Sequence, residues 1–570
     1  MSRYTNEAQG SNFTNHSTEE PTIYNSTHQI RLPLLLSLTL VVGIGIGAIF
    51  FGNKGVSLGG EVSDNAEKFR DILSYINRFY VDTVNIEELT ETAIHGMLNQ
   101  LDPHTAYIPA KDNALVNAPL DGEFVGVGIE YNIFRDTVNV VSIISGGPSD
   151  QAGIEEGDKI ILVDEETVAG IGISNRKIIN LLRGEKGSQV KIGIKREGED
   201  QLLSFNVTRA RITTNTVETA YMVNDEVGYL KINRFGAKTY QEFTNSLESL
   251  KEEGMKKLIL DLRDNGGGYF DKAIKIADDF LKADQLIVYT KSRNESADER
   301  AESSYGGSFE DGALIVLINE YSASASEIVA GALQDNDRAL IVGRRSFGKG
   351  LVQRPISLED NSSLRLTISR YYTPSGRSIQ KPYGSDNNYG NDINARYDRG
   401  EMFHIDSAAF DEKLKYKTAH KGRTVYGGGG ITPDYFVPID TSFYTPYYRS
   451  LINKNLLREY ALRYTTINRK KLSQMSLKDF MASFNVEREA SQDLINYANK
   501  SGVEFNPADF LISKDVIHQE LKAFIARNIW GEAGFYPIYH EVDGTFQQCL
   551  ALFSEAEKIA LLEDTPDVDK

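Results

Sequence analysis

A strand-to-helix corner with the sequence Ser322-Ala-Ser-Ala-Ser326 contains the first residues whose type and spacing could do chemistry. A serine at such a corner lies near free backbone N–H groups and the positive end of the helix dipole, which stabilise a developing negative charge. Serine is also a common helix N-cap, so the segment alone does not establish catalysis. The nearest histidines along the chain are His104 and His404. A nucleophilic serine here would therefore need a different base.

Lys349 is the candidate for that base. It lies between Gly348 and Gly350, just after an apolar segment. A lysine can accept a proton near neutral pH only if desolvation lowers its pKa by several units from about 10.4. In an extended chain Lys349 and Gln353 share one face, so the Gln353 amide could hydrogen-bond the amine. The alternative interpretation is a solvated loop lysine.

A glycine-rich loop supplies a second anion-friendly element. The segment Asp261-Leu-Arg-Asp-Asn-Gly-Gly-Gly268 ends a predicted strand and begins a predicted helix, so its N–H groups can form a nest for an anion. A phosphate site is the alternative, but the loop has neither a GxxxxGK[ST] nor a GxGxxG pattern. An oxyanion hole, completed by the N–H that follows the nucleophile, fits the loop better.

The overall composition narrows the class of protein. The 570 residues are 41% hydrophobic and 25% charged, with a net charge of −18, and about 150 residues per domain predicts three to four domains. So acidic a chain is not expected to bind nucleic acid. The single cysteine, Cys549, excludes an intramolecular disulfide and a cysteine-based zinc site, and the eight histidines lack metal-ligand spacing. We expect neither a metal nor another cofactor.

The N-terminal region contains a candidate membrane segment. Residues 1–31 form a polar leader that is expected to be disordered, and residues 32–53 form an uncharged run. A helix of that length spans about 33 Å, enough to cross the hydrocarbon core of a bilayer. The alternative is a cleaved signal peptide. The long polar leader and the lack of an Ala-x-Ala pattern after Phe51 favour an uncleaved anchor.

Periodicity predicts the elements that must position these residues. The predicted regions are helical at 61–120, short strands with glycine-rich turns at 122–211, alternating strands and helices at 215–440, and mainly helical at 441–570. Strands that alternate with helices are typical of βαβ crossovers. The strands predicted to be joined in this way are 227–232, 257–262, 286–289 and 313–318. Two polar stretches, 292–311 and 383–402, are predicted to be long loops.

Five segments together resemble the C-terminal processing, or tail-specific, serine peptidases. In chain order they are Gly96–Pro109, Gly228–Phe235, Asp261–Gly268, Ser322–Asp335 and Gly343–Gln353. The resemblance covers about residues 65–440, and the order of five motifs makes it far more specific than any one of them. It implies an α/β fold with a crotonase-like protease core at 215–440, an inserted PDZ domain at 122–211 and helical regions on either side.

The resemblance also implies roles for individual residues. The implied catalytic residues are Ser324 as nucleophile, Lys349 as general base and Gln353 as its support, and the implied oxyanion donors are the backbone of Ala325 and of either Gly267 or Gly268. The family usually has proline where this chain has Gly266. That departure makes the loop more flexible but removes no N–H that the mechanism needs.

The PDZ prediction has its own support in the sequence. A turn with free N–H groups precedes a strand at 129–131 that could pair with a ligand as an added strand. The residues expected to bind a substrate tail are Phe124, Val125, Gly126, Val127, Gly128 and Ile129. A small β-barrel without a ligand is the alternative.

The expected activity is therefore that of a membrane-anchored serine endopeptidase that cleaves proteins near their C-termini. The resemblance implies a bacterial inner-membrane location, an anchor at 32–53 and a catalytic part in the periplasm. The expected partners are protein substrates with exposed apolar C-terminal tails. An envelope adaptor protein and a second copy of the chain are further partners that this interpretation allows.

Three other interpretations share some of these features. Ser346-Phe-Gly-Lys349 matches the SxxK pattern of penicillin-binding proteins, which needs a helix there, and the glycines beside the lysine argue against one. A non-enzymatic PDZ scaffold would leave Ser324, Lys349 and Gln353 unexplained. A chymotrypsin-like PDZ protease would need a suitable histidine and a Gly-Asn-Ser-Gly-Gly motif, which the sequence lacks.

Overall fold

The computed structural model describes residues 60–384, 389–405 and 412–560. The predicted leader at 1–31 and the predicted anchor at 32–53 lie outside the described residues. Within those ranges, no helix is both long enough and apolar enough to cross a membrane. The described chain divides into two compact units, with the boundary between Thr92 and Ala93.

Helices and strands alternate along the described chain. The helices are α1 Gly60–Phe79, α2 Ile86–Leu98, α3 Ala110–Asp121, α4 Pro148–Ala152, α5 Asn175–Leu182, α6 Thr239–Glu252, α7 Phe270–Asp278, α8 Ala325–Asp335, α9 Asp392–Asp398, α10 Pro446–Asn453, α11 Leu456–Leu472, α12 Leu477–Ser483, α13 Val486–Glu489, α14 Ser491–Lys500, α15 Pro507–Trp530, α16 Glu532–Tyr539, α17 Gly544–Ala551 and α18 Phe553–Ala560. The strands are β1 Ala106–Ile108, β2 Glu123–Gly126, β3 Ile129–Phe134, β4 Thr137–Ile143, β5 Lys159–Val163, β6 Glu166–Thr167, β7 Gln189–Lys195, β8 Leu203–Thr208, β9 Ala210–Thr213, β10 Val217–Met222, β11 Val227–Ile232, β12 Lys257–Asp261, β13 Leu286–Ser292, β14 Arg300–Glu302, β15 Ala313–Ile318, β16 Leu340–Gly343, β17 Leu351–Ser357, β18 Ser363–Tyr372, β19 Lys415–Lys417, β20 Thr424–Tyr426 and β21 Tyr435–Phe436.

The first unit contributes α1 and the start of α2. The predicted helices here were 65–80, from helical spacing of its apolar residues, and 87–101, and the structure confirms both. No side chain of α1 is buried within the described chain, although its apolar residues follow helical spacing.

A small antiparallel sheet with two short helices follows α3. Its strand order is β3-β4-β5-β7-β8, with β6 paired to β5. Strand β3 is at one edge, so one side of its backbone is open to a ligand. The apolar faces of the strands and of α5 form a separate core that includes Val138, Ile160, Ile178 and Ile192.

The larger sheet has the order β10-β11-β12-β15-β16-β21. Strand β10 is antiparallel to β11, and each later neighbour is parallel to the one before it. Every residue of β11 and β15 is buried, as expected for parallel strands that are covered on both faces. The βαβ prediction is confirmed for β11, β12 and β15.

The strand predicted at 286–289 is present as β13, but the prediction that it belongs to the βαβ series was wrong. Strand β13 lies in a second sheet of order β1-β18-β13-β14, with β17 also paired to β18, and β13 is antiparallel to β18. Three of its seven residues are buried and the others are partly or fully exposed, which suits a sheet with a solvated face. A strand that follows a helix can have the same apolar pattern whether it joins the larger sheet or the second sheet. Periodicity therefore does not show to which sheet the strand belongs.

Each of the two stretches that were predicted to be long loops contains a short element of secondary structure. The stretch 292–311 contains β14, which pairs with β13, and the stretch 383–402 contains α9. Both elements are too short to give a reliable periodic signal.

Between residues 441 and 560 the chain is mainly helical, as predicted, and packs on the rest of the second unit. Helices α10 to α16 share one apolar core, and Phe546, Cys549 and Phe553 of α17 and α18 pack under the larger sheet. Ion pairs join α11 and α15 to the small antiparallel domain, from Arg135 to Glu459 and from Arg527 to Glu130, each at 2.9 Å.

Candidate active site

Ser324 lies between β15 and α8 in a strained backbone conformation. Its φ is +57° and its ψ is −112°, a region that residues other than glycine rarely adopt. Such strain is typical of functional residues that a rigid frame holds in place. The buried hydroxyls of Ser322 and Ser326 are bonded to backbone carbonyls, at 2.8 Å to Leu262 and 2.9 Å to Asn265. Ser324 is the serine of the three that lines the adjacent cavity.

Lys349 lies just before β17 and faces the same cavity. Its Nζ donates to Gln353 Oε1 at 3.0 Å, and Gln353 Nε2 donates to the carbonyl of His104. Burial lowers the pKa of Lys349, Arg365 lowers it further, and Glu327 and Asp102 oppose the shift. The environment therefore shifts Lys349 toward the neutral amine, which is the form that a general base needs.

One cavity of about 440 Å³ brings these residues together. Its lining includes Ser324, Ala325, Lys349, Gln353, Gly266, Gly267, Gly268 and Tyr371, with an apolar wall of Leu120, Phe270, Ile328, Leu351 and Val352. These residues come from five segments that are distant in sequence. The fold brings them together around one cavity with an apolar wall.

Glu327 connects the two segments that carry Ser324 and Lys349. Its carboxylate is fully buried and accepts hydrogen bonds from the backbone N–H of Ser324 at 2.8 Å, of Gly348 at 2.7 Å and of Lys349 at 2.9 Å. It also accepts from Ser346 Oγ at 2.6 Å, and burial raises its pKa. Our sequence reasoning missed this residue. The signal that could have found it is the Ser-x-x-Glu spacing of a capping box.

The same contacts argue against the SxxK interpretation. Ser346 is fully buried, and its Oγ donates to Glu327 and accepts from the N–H of Ile431 at 2.6 Å. The segment from Arg344 to Gly350 is not helical. An SxxK dyad needs one helical turn to bring its serine and lysine together, so Ser346 is a support for Glu327.

Tyr371 of β18 is a second link between the two segments. Its hydroxyl lies 3.1 Å from the carbonyl oxygen of Ser324 and 2.7 Å from that of Lys349. The side chain is buried, and burial raises its pKa well above the ordinary value, so the hydroxyl remains a donor. Nothing in the local sequence indicated this contact.

The hydrogen bonds of the glycine loop distinguish its two candidate donors. The N–H of Gly267 already donates to Asn265 Oδ1 at 2.9 Å. Among the described residues, the N–H groups of Gly268 and Ala325 have no acceptor. Gly267 has a φ of +98°, and an added Cβ would lie 2.8 Å from Ser324 Cβ, so the loop passes directly beside the serine. Gly266, where the family usually has proline, has open space around its missing Cβ.

A histidine does reach the site, although none is near in sequence. The backbone carbonyl of His104 holds the Gln353 amide, and its ring Nε2 lies 2.7 Å from Tyr389 Oη. Burial, with Lys349 and Lys381 nearby, lowers the pKa of His104 to about 4 despite the opposing charge of Asp102. The ring is therefore neutral at physiological pH, and His104 contacts Gln353 through its backbone.

The C-terminal helical region also contacts the loop that carries the glycines. Arg263 binds Asp261 through two nitrogens, at 2.6 and 3.0 Å, and binds Asp543 at 2.8 Å. Asp261 is fully buried. Burial alone would raise its pKa, but Arg263 and Lys231 hold that pKa below its ordinary value. Asp543 therefore helps to fix the start of the glycine loop from outside the protease core.

We expect Asp543→Asn to lower kcat roughly tenfold with little change in KM, because it removes one charged partner of Arg263. Asparagine still accepts from the N–H groups of Thr545 and Phe546, which Asp543 now caps, so α17 should persist. The measurements are steady-state kinetics and thermal unfolding. Glu541→Gln, an exposed change nearby, is the control. Equal kcat in the two variants would contradict the prediction.

The small antiparallel domain has a groove of about 270 Å³ between β3 and α5. The groove residues predicted from sequence are Phe124, Gly126, Val127, Gly128 and Ile129, and those missed are Asn175, Ile179 and Leu182. Val125 lies on a neighbouring cavity instead. The carbonyl of Val127 accepts from Ser149 N–H at 3.0 Å and that of Gly128 from Ile144 N–H at 3.1 Å. Within the described chain, the N–H groups of Val127 and Gly128 have no acceptor.

Family models match successive parts of this chain. They are the N-terminal domain of the activating protease CtpB at 53–112, the PDZ domain at 125–207, peptidase family S41 at 226–389 and a family of unknown function at 447–531. The carboxy-terminal-processing protease of Bartonella bacilliformis is 38% identical over 317 residues, which are 55% of this chain and 72% of that protein. A probable CtpA-like serine protease of Staphylococcus haemolyticus is 30% identical over 65% of this chain and 74% of that protein.

A solved structure of the photosystem II D1 C-terminal processing protease is 29% identical and covers 55% of this chain and 89% of its own, with a TM-score of 0.32. The extent and identity of the Bartonella match show the family, and this chain belongs to peptidase family S41. It is a carboxy-terminal-processing serine protease with a PDZ domain and a helical C-terminal region.

Proposed function

We propose that this protease cleaves its substrates with a Ser324–Lys349 dyad in a crotonase-like core. The observation that carries the proposal is that Ser324 and Lys349 line one cavity, with the lysine half-buried and bonded to Gln353. No other serine of the 322–326 segment has a free hydroxyl there.

The proposed chemistry begins with proton transfer from Ser324 Oγ to the neutral amine of Lys349 as the oxygen attacks the scissile carbonyl carbon. The N–H groups of Gly268 and Ala325 stabilise the oxyanion that forms. The Lys349 ammonium then returns the proton to the leaving amine as the C–N bond breaks. A water molecule, activated by the same amine, releases the acyl group from Ser324.

Gln353 has a positioning role in this scheme. Its Oε1 accepts from Lys349 Nζ, and its Nε2 is held by the His104 carbonyl, so the amide cannot rotate freely. The amine is thereby directed along β17 toward the cavity. Glu327 and Tyr371 hold the backbone on either side.

We propose that the PDZ groove selects substrates by an apolar C-terminal tail. The free N–H groups of Val127 and Gly128 can bind a terminal carboxylate, and the exposed edge of β3 can pair with the tail. The apolar walls of Ile129, Ile179 and Leu182 suit an apolar last side chain.

The location and assembly of the protein are part of the same proposal. The uncharged run at 32–53 supports a single anchor in the bacterial inner membrane, with the catalytic part in the periplasm. An envelope adaptor and a homo-oligomer remain partners that we propose from the family resemblance alone.

The test of tail selection compares one unstructured substrate with a free and an amidated C-terminus. Amidation removes the charge, and we expect roughly five- to thirtyfold slower cleavage below saturation. Ile179→Glu, in the groove wall, should erase that difference. Asn180→Glu, exposed on the same helix and outside the groove, should preserve it. Val127 is only 3% exposed and packs in the domain core, so it is unsuitable for a charged substitution.

Equal cleavage of both tails by the wild-type enzyme would contradict tail selection while leaving the dyad untouched. A preference that persists in Ile179→Glu would place tail recognition outside this groove.

A further inference from the structure

Arg365 occupies an unusual position in the active cavity. It lies in β18, paired with Ala106 of β1 and Pro355 of β17, and its side chain lines the cavity together with Ser324 and Lys349. Along the same strand, Thr367 is the partner of Gln353. Two residues of an extended strand span roughly 6–7 Å, so Arg365 lies about two peptide residues beyond the Lys349–Gln353 pair.

Other arginines near the site form ion pairs with carboxylates, whereas Arg365 has no such partner among the described residues. Arg344 binds Glu320 at 2.8 Å, and Arg345 and Arg396 bind Glu401 at 2.7 and 2.9 Å. Among the described residues, no carboxylate forms an ion pair with Arg365. Its hydrogen-bond partner is Asn117 Oδ1, at the long distance of 3.5 Å.

The other charged groups on the cavity wall do not neutralise it. Asp121 also lines the cavity, where it accepts a hydrogen bond from Tyr269 Oη at 3.3 Å. Lys349 must be neutral when it acts as a base. A partly buried guanidinium that faces a substrate cavity is well suited to bind a carboxylate, because it offers several donors in a planar fork.

We propose that Arg365 forms a carboxylate-binding subsite of the active cavity, about two residues from the scissile bond. This inference rests on the proposed function and names its substrate class. The carboxylate comes either from an aspartate or glutamate side chain of the substrate or from the terminal carboxylate of a short substrate. The remaining wall is apolar, so the preferred segment combines apolar residues with one acidic group.

The proximity of Arg365 to Lys349 provides a second, independent readout. Arg365 lowers the pKa of Lys349, while Glu327 and Asp102 oppose it. Removing the guanidinium charge should therefore move the pH midpoint of acylation upward even with a neutral peptide. A bound carboxylate should move it in the same direction, because it offsets the charge of Arg365.

The experiment uses peptides of one apolar sequence with Glu or Gln at the second position on either side of the scissile bond. Each is made with a free and an amidated terminus, and the Ile179→Glu background removes the PDZ contribution. In that background, with Arg365 intact, we expect the enzyme to favour the Glu peptide over the Gln peptide, or the free over the amidated terminus, about tenfold in kcat/KM. The arm that shows the preference identifies the source of the carboxylate.

The variants are Arg365→Gln, Arg365→Lys and the control Arg354→Gln. Arg354 is exposed on β17 and does not line the cavity. Arg365→Gln should reduce the ratio to about one and raise the pH midpoint, Arg365→Lys should keep part of the ratio, and Arg354→Gln should keep it all. A thermal unfolding scan checks that each variant is folded.

Either of two outcomes would overturn the subsite: no carboxylate preference in the Ile179→Glu enzyme with Arg365 intact, or an unchanged preference when Arg365→Gln is added to that background. Cleavage of the neutral peptide by the wild-type enzyme keeps the proposed function intact in both cases. If no peptide is cleaved, the proposed function fails and the subsite fails with it.

Discussion

Ser324→Ala is expected to abolish peptide cleavage, with a loss of roughly 10⁴-fold or more in kcat. The substitution removes one hydroxyl that faces the cavity, and the buried hydrogen bonds of Glu327 and Tyr371 to this segment all involve backbone atoms of residue 324. The fold should therefore persist. The measurements are substrate cleavage, thermal unfolding and covalent labelling with a serine-reactive phosphonate.

Two other serine-to-alanine variants test whether the loss of activity is specific to Ser324. Ser326→Ala removes a buried hydroxyl from the same segment and should cost about 1 kcal/mol of stability while labelling persists. Ser346→Ala removes a donor to Glu327 and should weaken turnover without abolishing labelling. If Ser324→Ala still became labelled and Ser346→Ala did not, the nucleophile would be Ser346.

Lys349→Arg is expected to be nearly inactive, with a loss of roughly 10³-fold or more, although it preserves the positive charge. A guanidinium stays protonated and cannot take the proton of Ser324. The lysine pKa is lowered chiefly by burial, so the neutral fraction of the wild-type enzyme grows as pH rises through that pKa. Single-turnover acylation should therefore increase with pH and reach a plateau when the amine is fully neutral.

The control for the lysine is its partner Gln353. Gln353→Ala should leave Lys349 in place and lower acylation less than Lys349→Arg does, because the proton acceptor remains. Near-normal turnover of Lys349→Arg would remove the lysine from the mechanism. An acylation rate that does not change with pH would contradict its role as a base that must lose a proton.

The sequence was most informative where the physical signal is local. The bounds of β11 and β15 agree with those predicted from apolar runs. The helices that periodicity predicts at 238–252 and 326–334 agree with α6 and α8 to within one residue. The strand-to-helix corner at Ser324 could also be predicted from neighbouring residues, and the two glycines that flank Lys349 marked that lysine as a candidate base. The family resemblance, and not the local sequence, assigned Ser324 as the nucleophile in preference to Ser322 and Ser326. The structure supplies a physical reason for that choice, because the hydroxyls of the other two serines are buried and bonded to backbone carbonyls.

By itself, the sequence determined the types of the longer elements, the order of the regions and the candidate nucleophile and base, since each depends on a few adjacent side chains. Only the tertiary structure decided which of those residues meet. The His104 carbonyl reaches Gln353 across 249 residues, and Asp543 reaches Arg263 across 280. Such contacts depend on how sheets and helices pack. The local sequence around each residue carries no signal for them, so they could not be predicted from it. The placement of β13 in the second sheet was decided in the same way, because a strand's periodicity identifies its buried face but not its neighbour.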